Sequence, residues 1–407
     1  MSDIALLGWA GILLFIVALL TSIMLHEAGH FVFAKKYGMK ASEFFVGFGP
    51  RLWSFRRGET EFGIKALPLG GYVKILGMTP LEELDPAEQH RAFYKQKPWH
   101  RFMVLVAGSL THFVIGIVIL LILLMAVGIP MKEQTLELQA VSKCLPTSNA
   151  SASCASDAGK TPAAKAGIKP GDKITGFNGA PVQSWDGLSK ELRAHGGEKV
   201  TVTVERGGQT KELSTTLATV EDQQTGKQIG FLGVTAGERI SGYQTYGPLE
   251  AVGKTGEVFV LQIGLIFKTL GQLPAAIPKL FSEERGETEG GQVGSVVGAG
   301  RMAGSLFGSD DPGRAKASNF LNMLQSINVF IGVFNLLPLL PMDGGHIAVL
   351  FWERIKAWFA RKRGKLDPGP VDMTKLMPLT YAVFVLLVGL GAVLITADVV
   401  NPLESPF

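Results

Sequence analysis

Long apolar runs alternate with polar, glycine-broken segments along this chain. Four stretches are almost continuously apolar, at 4–34, 102–129, 320–351 and 376–400. Each reaches the ~20 residues that an α-helix needs to cross a hydrocarbon core. The first has no basic leader and no small-residue cleavage site, and it runs straight into His26 and Glu27, unlike a cleaved signal peptide. Other textures lie between the runs. Residues 43–75 are aromatic and β-branched, broken by Gly and Pro, which predicts hairpins. They are apolar enough to suggest a sheet dipping into the membrane against the helices, with protein or water around its backbone. Residues 130–163 read as an irregular lead-in. Beyond them, 185–195 carry a helical period, and strands at 199–205 and 210–217 flank a Gly207-Gly208 turn. Residues 249–281 mix apolar positions with Lys254, Lys268 and Lys279. They read as a helix lying on the membrane surface, a fifth span being the alternative.

Composition sharpens this outline. Of the 407 residues, 47% are hydrophobic and 18% charged, too apolar for an ordinary soluble enzyme. The net charge of +4 gives no nucleic-acid signal. Lys and Arg cluster in 35–101 and 354–375 and are missing before residue 25 and after 376. By the positive-inside rule both termini and 130–318 lie outside, and the two basic segments are cytoplasmic. Cys144 and Cys154 then fall in the outside segment, where an oxidising compartment permits a disulfide.

The chemistry concentrates in His26-Glu27-Ala28-Gly29-His30 at the end of the first run. Residues four apart share a helix face, so both imidazoles can grip one ion. Glu27, between them, can take a proton from an attacking water and later return it to the leaving amine. Ionisable groups inside a membrane segment are functional by default. A catalytic zinc site wants a third protein ligand. Asp343 supplies it, within Asn335-Leu336-Leu337-Pro338-Leu339-Leu340-Pro341-Met342-Asp343-Gly344-Gly345. The prolines and glycines are expected to break the third span around a cavity. A helix N-cap is the other reading of Asp343.

These features resemble the site-2 protease family, in its bacterial RseP-like branch and particularly its actinobacterial members. The likeness covers nearly the whole chain, including the Gly47-Phe48-Gly49-Pro50 and 67–75 segments, and the run 163–174 resembles the PDZ modules of bacterial proteases. The resemblance implies Zn2+ held by His26, His30 and Asp343, Glu27 as general base, and Asn335 positioning substrate. Where the family has G-P-x-x-N in its second span, this chain has Gly108-Ser109-Leu110-Thr111-His112. His112 can therefore bond substrate or stabilise an oxyanion, or it is a buried packing histidine. The resemblance further implies substrates that are single-span membrane proteins, such as anti-sigma factors first trimmed by an upstream site-1-type protease, or remnant signal peptides. Because a transmembrane helix hides its peptide bonds, an exposed edge in 44–75 is expected to capture the unwound segment as an added strand.

The expected fold is a polytopic α-helical membrane protein with four transmembrane helices, a membrane-associated β region and an extracytoplasmic α+β PDZ domain. Its parts are the first helix with the zinc motif (1–36), the β region and loop (37–101), the second helix (102–129) and the PDZ domain (130–220). A further outside region (221–318), the broken third span (319–351), a basic cytoplasmic loop (352–375) and the fourth helix with its outside tail (376–407) complete it. The expected location is the plasma membrane. The rival functions are an ion-binding transporter, disfavoured by the lack of paired inverted repeats, and a non-catalytic PDZ-bearing scaffold, which needs no base between metal ligands.

Overall fold

The computed structural model describes residues 3–78, 84–145, 159–222, 226–282, 285 and 293–403. In chain order its main elements are α1 (Asp3–Lys36), β1 (Ala41–Arg57), β2 (Thr60–Ile75), α2 (Pro98–Ile122), β3 (Ile129–Val141), α3 (Pro162–Ala166), β4 (Lys173–Phe177), β5 (Ala180–Pro181), α4 (Trp185–Ala194), β6 (Lys199–Arg206), β7 (Gln209–Thr216), β8 (Ala218–Glu221), β9 (Gln228–Phe231) and β10 (Val234–Gln244). There follow α5 (Pro248–Ala276), α6 (Val296–Gly308), α7 (Gly313–Asn335), α8 (Asp343–Lys362) and α9 (Met377–Val400). The contacts divide the chain into two units. The first draws on 1–128, 245–276 and 293–407, the second on 129–244 and 277–292.

The first unit is helical. Among the described residues, four helical stretches are long and apolar enough to cross a membrane: Ala5–Lys36, Pro98–Val127, Pro248–Phe281 and Met373–Val400. Three coincide with apolar runs in the sequence. The third apolar run, expected to be broken, is indeed not one helix. It splits into α7 and α8, and buried Gln325 and Asn328 make α7 too polar to rank with the others. The remaining long helix is α5, for which the sequence favours a surface position. It packs alongside the bundle: Phe259 meets Phe113 of α2 edge to face, and Gln262 exchanges amide hydrogen bonds with Gln325 of α7. Lys268 and Pro274, which argued against a span, fall in its second half.

Helix α6 has no counterpart in the sequence reading. Its Gly- and Ala-rich run looks like loop, yet small residues let two helices close together. A Cβ on Gly11 would meet the carbonyl of Ala303 at 2.6 Å, and one on Gly304 would meet Ile12 at 2.9 Å. Asp398 of α9 accepts hydrogen bonds at the start of α6 from Ser295 N–H (2.6 Å), Ser295 Oγ (2.6 Å) and Gly298 N–H (3.2 Å). One buried carboxylate thus satisfies orphan donors of one helix and fastens another.

The strands β1 and β2 form a folded sheet. Phe44 faces both Phe62 and Val73, and Phe45 faces both Gly63 and Tyr72. The first half of β1 therefore lies between two arms of β2, and residues 71–75 form an outer arm. Near the turn, Arg91 grips Glu59 through two bonds, Nη1 to Oε2 at 2.6 Å and Nη2 to Oε1 at 2.8 Å, and Lys35 of α1 reaches the same carboxylate. These cations hold the Glu59 carboxyl down to about 2, from an ordinary 4.5.

The second unit carries a sheet in the order β10-β3-β4-β6-β7, with β5 beside β4 and a separate β8–β9 ladder. Among the described residues its strands pair antiparallel. Ile174, Phe177, Leu188, Val200, Val202 and Val204 build its core. Alternation along β6 turns Val200, Val202 and Val204 inward, as its sequence pattern implies. The unit's sheet continues past 220, the expected end of the module, because β10 pairs with β3 up to Gln244. Asp172 is buried and takes Arg206 Nε at 2.6 Å, Arg206 Nη2 at 2.7 Å and Lys169 N–H at 2.8 Å, pinning the glycine-rich turn before β4. Cys144 is disulfide-bonded, and Cys154 lies outside the described residues.

Candidate metal centre

Helix α1 spans 34 residues, about 51 Å at 1.5 Å per residue. His26 and His30 sit in its last third, one turn apart, and both are buried. Their Nε2 atoms face each other at 3.1 Å. His30 Nδ1 donates to the carbonyl of Val104 on α2 at 2.7 Å. That bond leaves the proton on Nδ1 and turns the Nε2 lone pair inward, as a metal ligand requires.

Gly108 on α2 makes room for the pair. A Cβ there would collide with His30 Nε2 and would stand 2.5 Å from His26 Cε1. Gly29 closes the same contact from α1, with Thr111 Oγ1 and the Ala107 carbonyl 2.6 and 2.7 Å from its missing Cβ. The two helices therefore touch where the histidines emerge.

Asp343 opens α8. Before it the chain turns through 336–342, and Gly344 and Gly345 lie against that loop. Side chains there would strike the Leu336–Leu337 backbone and the Leu339 carbonyl. The Asp343 carboxylate so delivered stands 3.5 Å from His26 Nε2 and 3.3 Å from His30 Nε2, measured to Oδ2. That Oδ2 atom is buried and has no hydrogen-bond partner in the protein. Tetrahedral zinc with ligands at ~2.0–2.2 Å separates those ligands by about 3.3–3.6 Å. Separations of 3.1, 3.3 and 3.5 Å lie at or close to that range, and the inward lone pair of His30 beside His26 Nε2 and an orphaned carboxylate oxygen calls for a cation. Among the described residues these are the three side chains grouped to hold a metal.

Glu27 follows His26 on the helix and is half-buried. Its Oε2 accepts the N–H of Val73 at 3.1 Å, on the outer arm of β2. The base expected from sequence is thus tied to the sheet expected to receive substrate. His112 is buried, with its ring 5.0 Å from that of His26, centroid to centroid. Its Nδ1 lies 2.9 Å from Asn328 Oδ1 on α7. Asn335 is half-buried at the last position of α7, where the loop to Asp343 begins. Among the described residues no hydrogen bond joins its side chain to the histidines.

Sequence reasoning missed several parts of this site. Val104 acts through its carbonyl, which no side-chain motif reveals. Asn328 is one polar residue in an apolar run, and only its meeting with His112 gives it meaning. A buried pair, Arg101 of α2 with Glu353 of α8 (2.7 and 3.3 Å), ties the helix bearing Asp343 to the helix bearing Gly108. The pair lines a cavity of about 380 Å3 together with Gln89, Tyr94, Asp372 and His346. The metal triad does not line it, whereas His346, three residues beyond Asp343 on α8, does.

Known proteins of similar sequence are named as zinc metalloproteases. Residues 14–366 match the family model of Peptidase family M50. Zinc metalloprotease Rip1 of Mycobacterium tuberculosis is 38% identical over 97% of this chain and 98% of its own length. Its namesake in Mycolicibacterium smegmatis is 36% identical over the same shares. A putative zinc metalloprotease of Brucella suis is 28% identical over 84% of this chain and 85% of its own.

Proposed function

The chain belongs to peptidase family M50 and is a site-2 type zinc metalloprotease of multi-pass membrane character, and from this premise we propose that it cuts single-span membrane proteins within or beside the bilayer. In this reading His26, His30 and Asp343 hold the zinc and Glu27 is the general base. The observation that carries it is the triangle of ligand atoms at 3.1–3.5 Å with Glu27 on the next helical position.

When bound, zinc supplies Lewis acidity, which makes a water acidic near pH 7 and polarises a carbonyl. The chain's own groups do the rest. Val73 N–H holds one oxygen of Glu27, so the other is free to take the water's proton as oxygen attacks the scissile carbon. Glu27 then hands that proton to the departing amine, and the C–N bond breaks with one water consumed. The outer arm of β2 beside Glu27 supports the capture of an unwound substrate as an added strand. Asn335 and His112 are assigned to substrate and reacting groups.

The orientation proposed is both termini and the second unit outside, with 35–101 and 354–375 in the cytoplasm. The second unit is assigned as a PDZ-type module that screens bulky outside domains or binds a freshly exposed terminus. Substrates in this scheme are anti-sigma-like proteins already trimmed outside, or remnant signal peptides.

The deciding experiment is cleavage of a tagged, trimmed single-span anti-sigma substrate in liposomes by the native chain and by Glu27→Gln, with zinc measured in both. The native chain is expected to cleave, and the variant to keep its zinc while losing ~10²–10⁴-fold in rate. Equal cleavage by both would sink the mechanism. Zinc-loaded chains that cleave nothing would count against the substrate class.

A further inference from the structure

Asn328 lies in the middle of α7 with no exposed surface, and no step described above uses it. Its Nδ2 donates to the carbonyl of Leu324 at 2.8 Å, one turn back. A carbonyl can only accept, so the amide is oriented with Nδ2 toward Leu324 and Oδ1 toward α2. There Oδ1 meets His112 Nδ1 at 2.9 Å. Oδ1 carries no proton, so the hydrogen of this bond sits on Nδ1. A neutral imidazole has one N–H, and Nε2 keeps its lone pair. The bond is fully buried, with His112 at 1% exposure and Asn328 at 0%. The neighbouring turn of α7 is fixed as well, since Gln325 and Gln262 exchange hydrogen bonds of 2.7 and 3.0 Å. The ring so held stands 5.0 Å from that of His26.

We propose that Asn328 is a positioning residue: it holds His112 as the Nδ1–H form, so that Nε2 accepts a hydrogen bond from the attacking water. The inference rests on the protease reading. Glu27 takes one proton of that water, and the other O–H points to His112 Nε2 without transfer. Two acceptors then fix the water, and its remaining lone pair meets the carbonyl. In this form His112 has no N–H at Nε2 to offer an oxyanion, and the role of oxyanion donor allowed by the sequence falls away.

The test combines nitrogen NMR of histidine-labelled protein with kinetics. Loss of one ring signal in His112→Asn identifies His112 among the seven histidines. The native ring is expected to carry its proton on Nδ1. Asn328→Asp keeps an acceptor and should keep that form. Asn328→Leu, or Asn328→Ala if the leucine variant fails to fold, should shift the proton toward Nε2 and lower kcat about 10–100-fold, with KM and zinc content within about twofold. A native ring protonated on Nε2 overturns the proposal, as does an Asn328 variant with altered tautomer and unchanged kcat. A fall in zinc content alone would reassign Asn328 to packing. A native chain that cleaves nothing overturns the catalytic role together with the protease reading, while the NMR result still decides whether Asn328 orients His112.

Discussion

A Cβ on Gly108 would sit against His26 Cε1 and His30 Nε2, atoms of the candidate metal ligands. Packed helices yield poorly to such intrusions. Gly108→Val is therefore expected to lower zinc affinity at least ~10-fold, with helical content retained. Equilibrium dialysis against zinc, alongside circular dichroism, checks this; native affinity would mean that the rings settle elsewhere on α2. His30 shows the complementary principle. Its ring is aimed by a backbone carbonyl, Val104 O, so the orientation survives any side-chain change at Val104 that preserves the helix.

Two contacts of the β1–β2 sheet matter at the scale of elements. Val73 N–H leaves the ladder toward Glu27, so a proline at 73 deletes that donor and the outward edge together. Val73→Pro is expected to lower kcat/KM on a single-span substrate at least ~10-fold while zinc content holds. Intact cleavage would refute both the edge capture and the anchoring of Glu27. The second contact is the Arg91–Glu59–Lys35 cluster, which joins the turn between the strands to the end of α1. Because the folded carboxyl lies near 2, below its ordinary 4.5, its contribution is complete above about 4.5 and fades as pH falls toward 2. Melting temperature should drop more steeply across that window in the native chain than in Glu59→Gln. Parallel curves would show that the cluster is silent in stability.

Orientation belongs to the whole molecule. The orientation proposed above, with 354–375 in the cytoplasm and the second unit outside, rests on Lys and Arg placement. Single cysteines at Ser214 and Lys362, both exposed, provide the readout. An impermeant maleimide is expected to label Ser214→Cys in intact cells and Lys362→Cys only after permeabilisation. The reverse pattern would invert the assignment. Helix α5, for which the sequence favours a surface position, packs against α2 and α7.

The metal-site candidates were legible in the sequence because their signal is local: two histidines one turn apart, a glutamate between them, and a lone aspartate beside prolines and glycines in an apolar stretch. The apolar runs of α1, α2 and α9 were legible for a similar reason, since membrane-scale hydrophobicity needs no partner to be read. Tertiary structure alone decided what depends on two distant segments meeting. Gly108 matters because His26 and His30 lie over it, Asn328 because His112 faces it, and Asp398 because α6 begins beside it. The packing of α5 was not legible either, because Lys268 and Pro274 interrupt its apolar run, and only the fold shows Gln262 satisfied by Gln325 of α7.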